Sequence, residues 1–153
     1  MKLSANFTLE EMIRSQTASR LGIDNMPREN EIIENLRRLC VNVLQPLRSH
    51  FGYPVIVSSG YRSLRLNRAI GSKDSSQHIK GQAADFEVVG MDNYDIACWI
   101  RDNLDYDQLI LEMYRPNEPR SGWVHCSWVG DDNRNEDLTI FQGGRTVFGL
   151  VVQ

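Results

Sequence analysis

Two histidines and one aspartate are the residues of this 153-residue chain whose types and spacing point most directly to chemistry. His78 precedes Asp85 by seven residues, with Gly81 between them as a turn, and His125 follows in a later strand-like run. Two neutral imidazoles and one carboxylate form the three-ligand set of a catalytic zinc site, which leaves the fourth position for water. We therefore predict Zn²⁺ as cofactor and amide hydrolysis as the chemistry, provided that the fold brings these side chains together.

Alternation along three strand-like runs predicts that the chemically important residues share a surface. Side chains two residues apart in a strand lie on the same face. Asp85, Glu112 and His125 each lie on the polar face of such a run. The opposite face is predicted to be apolar and to contain Ala84, Phe86, Val88, Leu109, Leu111, Met113, Val124, Cys126 and Trp128. If the three runs are neighbours in one antiparallel sheet, the three ionisable residues meet on its other surface.

The evidence for a metal site comes from the joint placement of these residues and not from any one of them alone. A histidine in a loop is usually solvated, and a histidine in a strand usually finds an ordinary hydrogen-bond partner. A carboxylate such as Asp85, which lies among Ala, Phe and Val, needs a partner wherever it is buried. The hypothesis of a metal site therefore depends on agreement across all three runs.

The elements that must position these residues are predicted from periodicity and capping signals. Thr8 and Glu11 form a capping box that begins a short helix. After Pro27, apolar residues recur at helical spacing up to about Ser49. Two further helices are predicted, a brief one at residues 64–70 that Gly71 ends and another at 93–103. Strands are predicted at 55–59, 83–89, 108–114 and 123–129, and a hairpin at 138–150 that turns at Gly143-Gly144. This order predicts an α+β fold, with N-terminal helices on one face of a small, mainly antiparallel sheet and the metal site on the other.

Length and composition predict a single domain over residues 1–153, because the chain is 41% hydrophobic and no linker-like stretch divides it. The formal net charge of -3 gives no basic field, so nucleic acid is not an expected partner. The first residues lack the apolar stretch of a signal peptide, and no run of about 18 uncharged apolar residues could span a bilayer. We expect a monomer that is synthesised in the cytoplasm and does not insert into membranes.

Three short motifs follow one another between residues 59 and 127. They read Ser-Gly-Tyr-Arg-Ser at residues 59–63, Ser-Gln-His-Ile-Lys-Gly-Gln-Ala-Ala-Asp at 76–85 and Trp-Val-His-Cys-Ser at 123–127. The second resembles the Ser-x-His-x-x-Gly-x-Ala-x-Asp signature of the zinc D-Ala-D-Ala carboxypeptidase and dipeptidase family, which includes many phage endolysins. The other two resemble that family's Ser-Gly-Tyr-Arg-Ser loop and Trp-Val-His-x-Ser strand. The region from Phe7 to Pro27 also resembles the compact, phage-associated branch of the family.

The resemblance implies the family's fold, shared with Hedgehog proteins, and a role for particular residues. It implies His78, Asp85 and His125 as zinc ligands and Arg62 as the guanidinium that holds a carboxylate or carbonyl of the substrate. Ser76 either binds the substrate through a hydrogen bond or caps the loop. The implied substrate is a peptidoglycan stem peptide, cut by a carboxypeptidase or an endopeptidase. Without a signal peptide, the protein would reach the bacterial wall by phage-mediated release or delivery.

The general base is the point at which this chain departs from the family pattern. Well-known members place a catalytic carboxylate three residues before the last histidine, where this chain has Gly122. The base must therefore come from elsewhere. Glu112, on the preceding strand, is the predicted catalytic residue, and Glu118, in the loop before Gly122, is the alternative.

Two other classes of protein share parts of this pattern. Two histidines with one carboxylate also describe the facial triad of non-haem iron oxygenases, but those usually place His and Asp one residue apart on a larger barrel. An inactive wall-peptide-binding or phage-tail module could retain the fold, and Gly122 keeps that alternative open. A purely structural zinc would usually have a fourth protein ligand, and the remaining histidine, His50, lies at the end of the long helix.

Overall fold

The computed structural model describes residues 1–152, which form six α-helices and one six-stranded sheet. The helices are α1 (Leu9–Ile13), α2 (Gln16–Leu21), α3 (Asn30–Leu39), α4 (Gln45–Phe51), α5 (Leu64–Ala69) and α6 (Asn93–Asn103). The strands are β1 (Val55–Ser59), β2 (Ala83–Val88), β3 (Gln108–Tyr114), β4 (Trp123–Ser127), β5 (Glu136–Phe141) and β6 (Thr146–Phe148). Their order in the sheet is β1-β2-β4-β3-β5-β6, and every neighbouring pair is antiparallel except β3 and β5. The predicted α+β class and mainly antiparallel sheet are confirmed.

The chain begins with two short helices, of which the sequence analysis predicts only the first. The Thr8 hydroxyl accepts a hydrogen bond from the backbone N–H of Glu11 at 3.2 Å, as the capping box requires. The unpredicted helix α2 is capped by Ser15, whose hydroxyl accepts from the N–H of Ala18 at 3.1 Å. Gly22 ends it in the left-handed conformation, at φ +67°. Ser15 and Gly22 were the signals that could have identified it.

The predicted long helix is continuous but changes its winding in the middle. α3 passes into a π-helical turn at Cys40–Leu44, which leads into α4. Pro46 lies in the first turn of α4 and cannot donate the backbone hydrogen bond that an uninterrupted α-helix needs there. The wider turn accommodates this missing donor. Among the described helices, none has the length and apolar character that crossing a bilayer would require.

The sheet has one apolar face, which packs on the helices, and one polar face. The sheet contributes Ala84, Phe86, Val88, Leu109, Leu111, Val124 and Cys126 to a core that also contains Leu36, Leu39, Cys40, Val43, Leu44 and Leu47 from the long helical segment. Helix α6 adds Ile96, Ala97 and Ile100 to the same core. Asp85 and His125 lie on the other face of the sheet, because they alternate with these buried residues along β2 and β4. The prediction that helices and site occupy opposite faces is confirmed.

The structure corrects the facing of one predicted strand residue and several strand ends, since β2 ends at Val88 and not at residue 89, and the hairpin spans residues 136–148 and not 138–150. Alternation assigns Met113 to the apolar face, but a bulge between Glu112 and Tyr114 leaves Met113 37% exposed, at φ +53°. Tyr114 takes the buried position instead, because a bulge shifts the alternation by one residue. Strand β4 likewise stops at Ser127 and not at residue 129.

Candidate metal centre

Strand register brings the predicted site residues together. β4 lies between β2 and β3, so the three runs are neighbours as the sequence analysis required. Asp85 on β2 is directly opposite His125 on β4, and His125 is opposite Ile110 on β3. Glu112, two residues along β3, is opposite Trp123. Asp85, His125 and Glu112 therefore occupy one patch of the polar face.

His78 reaches this patch from a single 3₁₀ turn, Gln77–Lys80, that precedes β2. The Ser76 hydroxyl accepts a hydrogen bond from the backbone N–H of His78 at 3.3 Å, so Ser76 caps the turn. His78 Nδ1 lies 2.7 Å from the carbonyl oxygen of Gly60. A carbonyl can only accept, so Nδ1 must carry the proton. In the neutral ring, Nε2 then keeps its lone pair, the form that binds a metal.

The three candidate ligands form a tight, largely buried cluster. Their ligand atoms lie within 4.8 Å of one another, and the side chains of His78, Asp85 and His125 are 5%, 10% and 12% exposed. Asp85 Oδ1 is 2.8 Å from His125 Nδ1 and 3.5 Å from His78 Nε2. The lone pair of His78 Nε2 thus faces a carboxylate oxygen, an arrangement that needs a proton or a metal cation to be favourable. Two imidazoles and one carboxylate are also the donor set that suits zinc, so these residues fit a metal ion.

Asp85 is held in its ionised form. Burial alone would raise the pKa of this carboxyl, because burial disfavours the charged state. The hydrogen bonds with His125 and then His78 outweigh that effect and hold the pKa of Asp85 well below its usual range. Metal ligation requires a deprotonated carboxylate, and Asp85 meets this requirement at neutral pH.

Arg62 lies at the edge of the cluster and is held by three side chains. Its Nε donates to Ser59 Oγ at 3.0 Å, its Nη1 to Asn67 Oδ1 at 3.2 Å and its Nη2 to Asp85 Oδ2 at 3.5 Å. A guanidinium has five N–H groups, so one remains on each of Nη1 and Nη2. These two N–H groups are available to a carboxylate or carbonyl of a substrate. Asn67, which is fully buried, was not identified from the sequence.

Glu112 is the carboxylate that shares this patch with the candidate ligands. Its Oε2 accepts a hydrogen bond from the indole Nε1 of Trp123 at 2.7 Å. Burial and then the negative charge of Asp85 raise the pKa of Glu112, while His125 and the Trp123 hydrogen bond oppose the rise. A raised pKa makes a carboxylate a better base near neutral pH. The alternative base, Glu118, is paired with Arg115 at 2.7 Å and its side chain is 52% exposed.

The backbone explains why position 122 holds no carboxylate in this chain. Gly122 has a φ of +64°, and a Cβ placed on it would lie 1.8 Å from the carbonyl oxygen of Glu112 and 2.8 Å from the carbonyl carbon of Met113. Any other residue there would collide with the bulged end of β3. Position 122 therefore has no room for a carboxylate, and the neighbouring strand β3 carries one, Glu112, at the point of closest approach.

A buried aspartate behind the His78 turn was missed by sequence reasoning. Asp107, which is 4% exposed, accepts a hydrogen bond from Gln77 Nε2 at 2.8 Å and a bidentate pair from Arg134, both bonds at 2.9 Å. Hydrogen bonds from Arg134 and Gln77 lower the pKa of Asp107. Since Gln77 adjoins His78, this network supports the turn that carries a ligand. The three partners are far apart in sequence, so no periodic signal could have revealed them.

Fold and site together define the class of protein. An α+β domain in which the open sheet face carries His125, Asp85 and a partly buried Glu112, and an adjoining turn adds His78, has the architecture of a metallopeptidase. Residues 5–127 match the family model described as peptidase M15, and this range contains every candidate site residue. The chain therefore belongs to the peptidase M15 family, the zinc D-Ala-D-Ala carboxypeptidase family, whose members are metal-dependent. The comparison with curated proteins gives no significant match.

Proposed function

We propose that this chain is a zinc metallopeptidase that hydrolyses an amide bond in peptidoglycan stem peptides. The observation that carries the proposal is the His78, Asp85 and His125 cluster, whose ligand atoms lie within 4.8 Å of one another beside Glu112 and Arg62. Membership of the peptidase M15 family supports the reaction type. Zinc is the proposed metal because the donor set is two imidazoles and one carboxylate.

Each residue of the site has a proposed role in hydrolysis. Zinc, when it is bound by the three ligands, supplies Lewis-acid activation of water and of the amide carbonyl. Glu112 takes the proton of the attacking water and returns it to the leaving amine, a role for which its raised pKa is suitable. The indole of Trp123 holds the Glu112 carboxylate through its hydrogen bond and so orients the base.

Arg62 is proposed to position the substrate. Ser59, Asn67 and Asp85 hold its guanidinium in place, so a substrate could bind its remaining N–H groups without a large further loss of side-chain freedom. A substrate carboxylate or carbonyl held there would be oriented for attack. Ser76 keeps its hydroxyl proton free while it caps the His78 turn, and a contact with the substrate is part of the proposal.

Within this class, we propose a D-Ala-D-Ala carboxypeptidase or an endopeptidase that takes part in lysis of the bacterial wall, with phage-mediated release as the route to its substrate. The inactive binding-module alternative rested on the absence of a carboxylate at position 122. Glu112 supports the active enzyme over this alternative, because the neighbouring strand offers a carboxylate in the site where Gly122 offers none.

The test combines metal content with turnover. Protein prepared with zinc is assayed for bound metal, and purified peptidoglycan is digested with and without a chelator, after which mass spectrometry identifies the fragments. We expect one zinc per chain and release of D-Ala or of cross-linked peptides that stops when the chelator is present. Bound zinc without any released fragment would favour the binding module, and a chain that binds no metal would overturn the proposal.

A further inference from the structure

A groove of about 520 Å³ lies beside Arg62, between β1 and the junction of α1 with α2. Four consecutive residues of β1, numbers 56–59, line it. Successive side chains of a strand point to opposite faces, so a groove that touches all four follows the free edge of the strand and not one of its faces. β1 is an outer strand of the sheet, and an edge strand has unpaired backbone groups with which an extended peptide can pair.

The groove is lined by two arginines although the chain as a whole is negative, and of these Arg62 pairs with Asp85. Arg14 and Arg62 line it, and none of its described lining residues is acidic. Arg14 is exposed, and within residues 1–152 no acidic side chain forms an ion pair with it. Exposed side chains of Ile56 and Ile70 supply an apolar part of the wall. A ligand that complements these features has a carboxylate and small aliphatic groups.

The backbones that carry the two arginines are tied together by one buried residue. Asn25 Nδ2 donates to the carbonyl oxygens of Ile13 at 2.8 Å and Tyr61 at 3.0 Å, and Asn25 Oδ1 accepts from the N–H of Ser63 at 2.7 Å. Ile13 is the neighbour of Arg14, while Tyr61 and Ser63 flank Arg62. A second tie joins the N–H of Tyr61 to the carbonyl oxygen of Met12 at 2.7 Å. The spacing of the two arginine backbones across the groove is therefore fixed before any ligand binds.

The loop at residues 60–63, which carries Arg62, links the groove to the metal cluster. The carbonyl oxygen of Gly60 faces His78 Nδ1 at 2.7 Å, and the N–H of Arg62 donates to the carbonyl oxygen of His78 at 3.0 Å. A peptide in the groove would consequently be held in a set position relative to the ligands. None of the three candidate ligands lines the groove, so it is suited to the part of a substrate that lies to one side of the cleaved bond.

We propose that this groove is a subsite for a substrate segment that carries a free carboxylate, and that Arg14 is a specificity-determining residue that pairs with this carboxylate. Both arginines line the groove, and Arg14 is the more exposed of the two. The inference rests on the peptidase function proposed above and deepens it. It assigns the substrate to acidic peptides, and it predicts discrimination against the same peptides when the carboxylate is amidated.

The test measures binding, so that it does not depend on turnover. A stem peptide and a set of analogues, in which each free carboxylate in turn is replaced by a carboxamide, are titrated by calorimetry into the zinc-loaded Glu112→Gln chain. We expect one of these replacements to raise Kd about fivefold, the size of one partly exposed charge-assisted hydrogen bond. In the Arg14→Gln background the same replacement should leave Kd unchanged, whereas Arg14→Lys should keep most of the difference.

Arg20→Gln is the matched control, because Arg20 is exposed on α2 and does not line the groove. It should leave the fivefold difference intact. The subsite is overturned if no analogue depends on Arg14, if Arg14→Gln weakens every analogue equally, or if Arg20→Gln has the same effect. Turnover by the chain with Glu112 intact separates the two proposals. Selective binding without cleavage would support the subsite and contradict the peptidase function. Cleavage with equal kcat/KM for all analogues would support the peptidase function and contradict the subsite.

Discussion

The site has two parts, which we call the ligand side (His78, Asp85 and His125) and the base side (Glu112 and Gly122). The two sides are built from different kinds of backbone. On the ligand side, Asp85 and His125 are paired within regular strands, and a capped turn tied to Gly60 holds His78. On the base side, Glu112 lies at a bulge and has one side-chain hydrogen bond, from Trp123. The ligand side thus depends on several local contacts, whereas the base side depends on a close approach of two backbones.

This difference in backbone explains how much change in residue position each side can tolerate. A metal ion needs its ligands within a few tenths of an ångström, and regular strands with a capped turn provide that precision from short motifs. A proton-transfer group needs only to reach the attacking water, so it can be supplied from a neighbouring strand when the backbone leaves no room at the usual position. Under the proposed assignment, Gly122 and Glu112 would be such a case, because the glycine that cannot carry a side chain adjoins the glutamate that can.

The largest expected effect comes from breaking the ligand side. His78→Ala removes one of three candidate ligands, so we expect the chain to lose stoichiometric metal and its turnover to fall to the background rate. Metal content is measured by elemental analysis after gel filtration. His50→Ala is the control, since His50 stacks on Trp99 outside the cluster, and it should retain metal. Stoichiometric metal in the His78→Ala protein would refute the ligand assignment.

Replacing the proposed base should lower kcat without changing metal content, and so distinguish the base side from the ligand side. In Glu112→Gln the side chain keeps its shape and still accepts the Trp123 hydrogen bond, so metal content should stay the same. Without a carboxylate to accept the proton, kcat should fall by about 10²- to 10⁴-fold. Glu118→Gln removes a carboxylate that is paired with Arg115, and it should change kcat little. The opposite ranking of the two variants would move the base to Glu118.

The backbone contact on the base side can be tested through stability. Gly122→Ala places a Cβ 1.8 Å from the carbonyl oxygen of Glu112, so the two strands must separate, and we expect the free energy of unfolding to fall by about 3 kcal/mol or more. Gly22→Ala is the matched control, with φ +67° and no atom within 4 Å of the added Cβ. It should cost only about 1 kcal/mol, the strain of a left-handed alanine. Equal losses in urea denaturation would show that the close approach is unimportant.

The difference between regular strands and the bulged backbone also explains which parts of the site could be predicted from the sequence. Alternation predicted that Asp85 and His125 share a face because both lie in regular strands, and the spacing across Gly81, together with the motif resemblance, added His78 to the same cluster. The adjacency of β2, β4 and β3 was only a condition, since pairing of strands far apart in sequence depends on the packing of the whole core. Met113 was misassigned because a bulge breaks the period on which the argument rests.

Residues that support the site from behind were out of reach for a different reason. Asn25 and Asn67 each hold loop residues through several side-chain hydrogen bonds, and Asp107 joins Gln77 to Arg134. None of these contacts repeats along the chain, so neither periodicity nor composition reports them. Each is nonetheless a buried polar group whose partners become clear once the fold is known.

The smallest expected effect concerns the hydrogen bond that holds the base. In Trp123→Phe the ring remains but the donor to Glu112 Oε2 is lost. That bond stabilises the charged carboxylate and lowers the pKa of Glu112, so its removal should raise this pKa further above the usual range. Because the base acts in its deprotonated form, the acid limb of the profile of kcat/KM against pH should move to higher pH by about one unit. Trp99→Phe, on α6 and away from the site, should leave the limb in place. An unchanged limb in Trp123→Phe, with activity reduced equally at every pH, would mean that the indole only packs against β3 and does not tune the base.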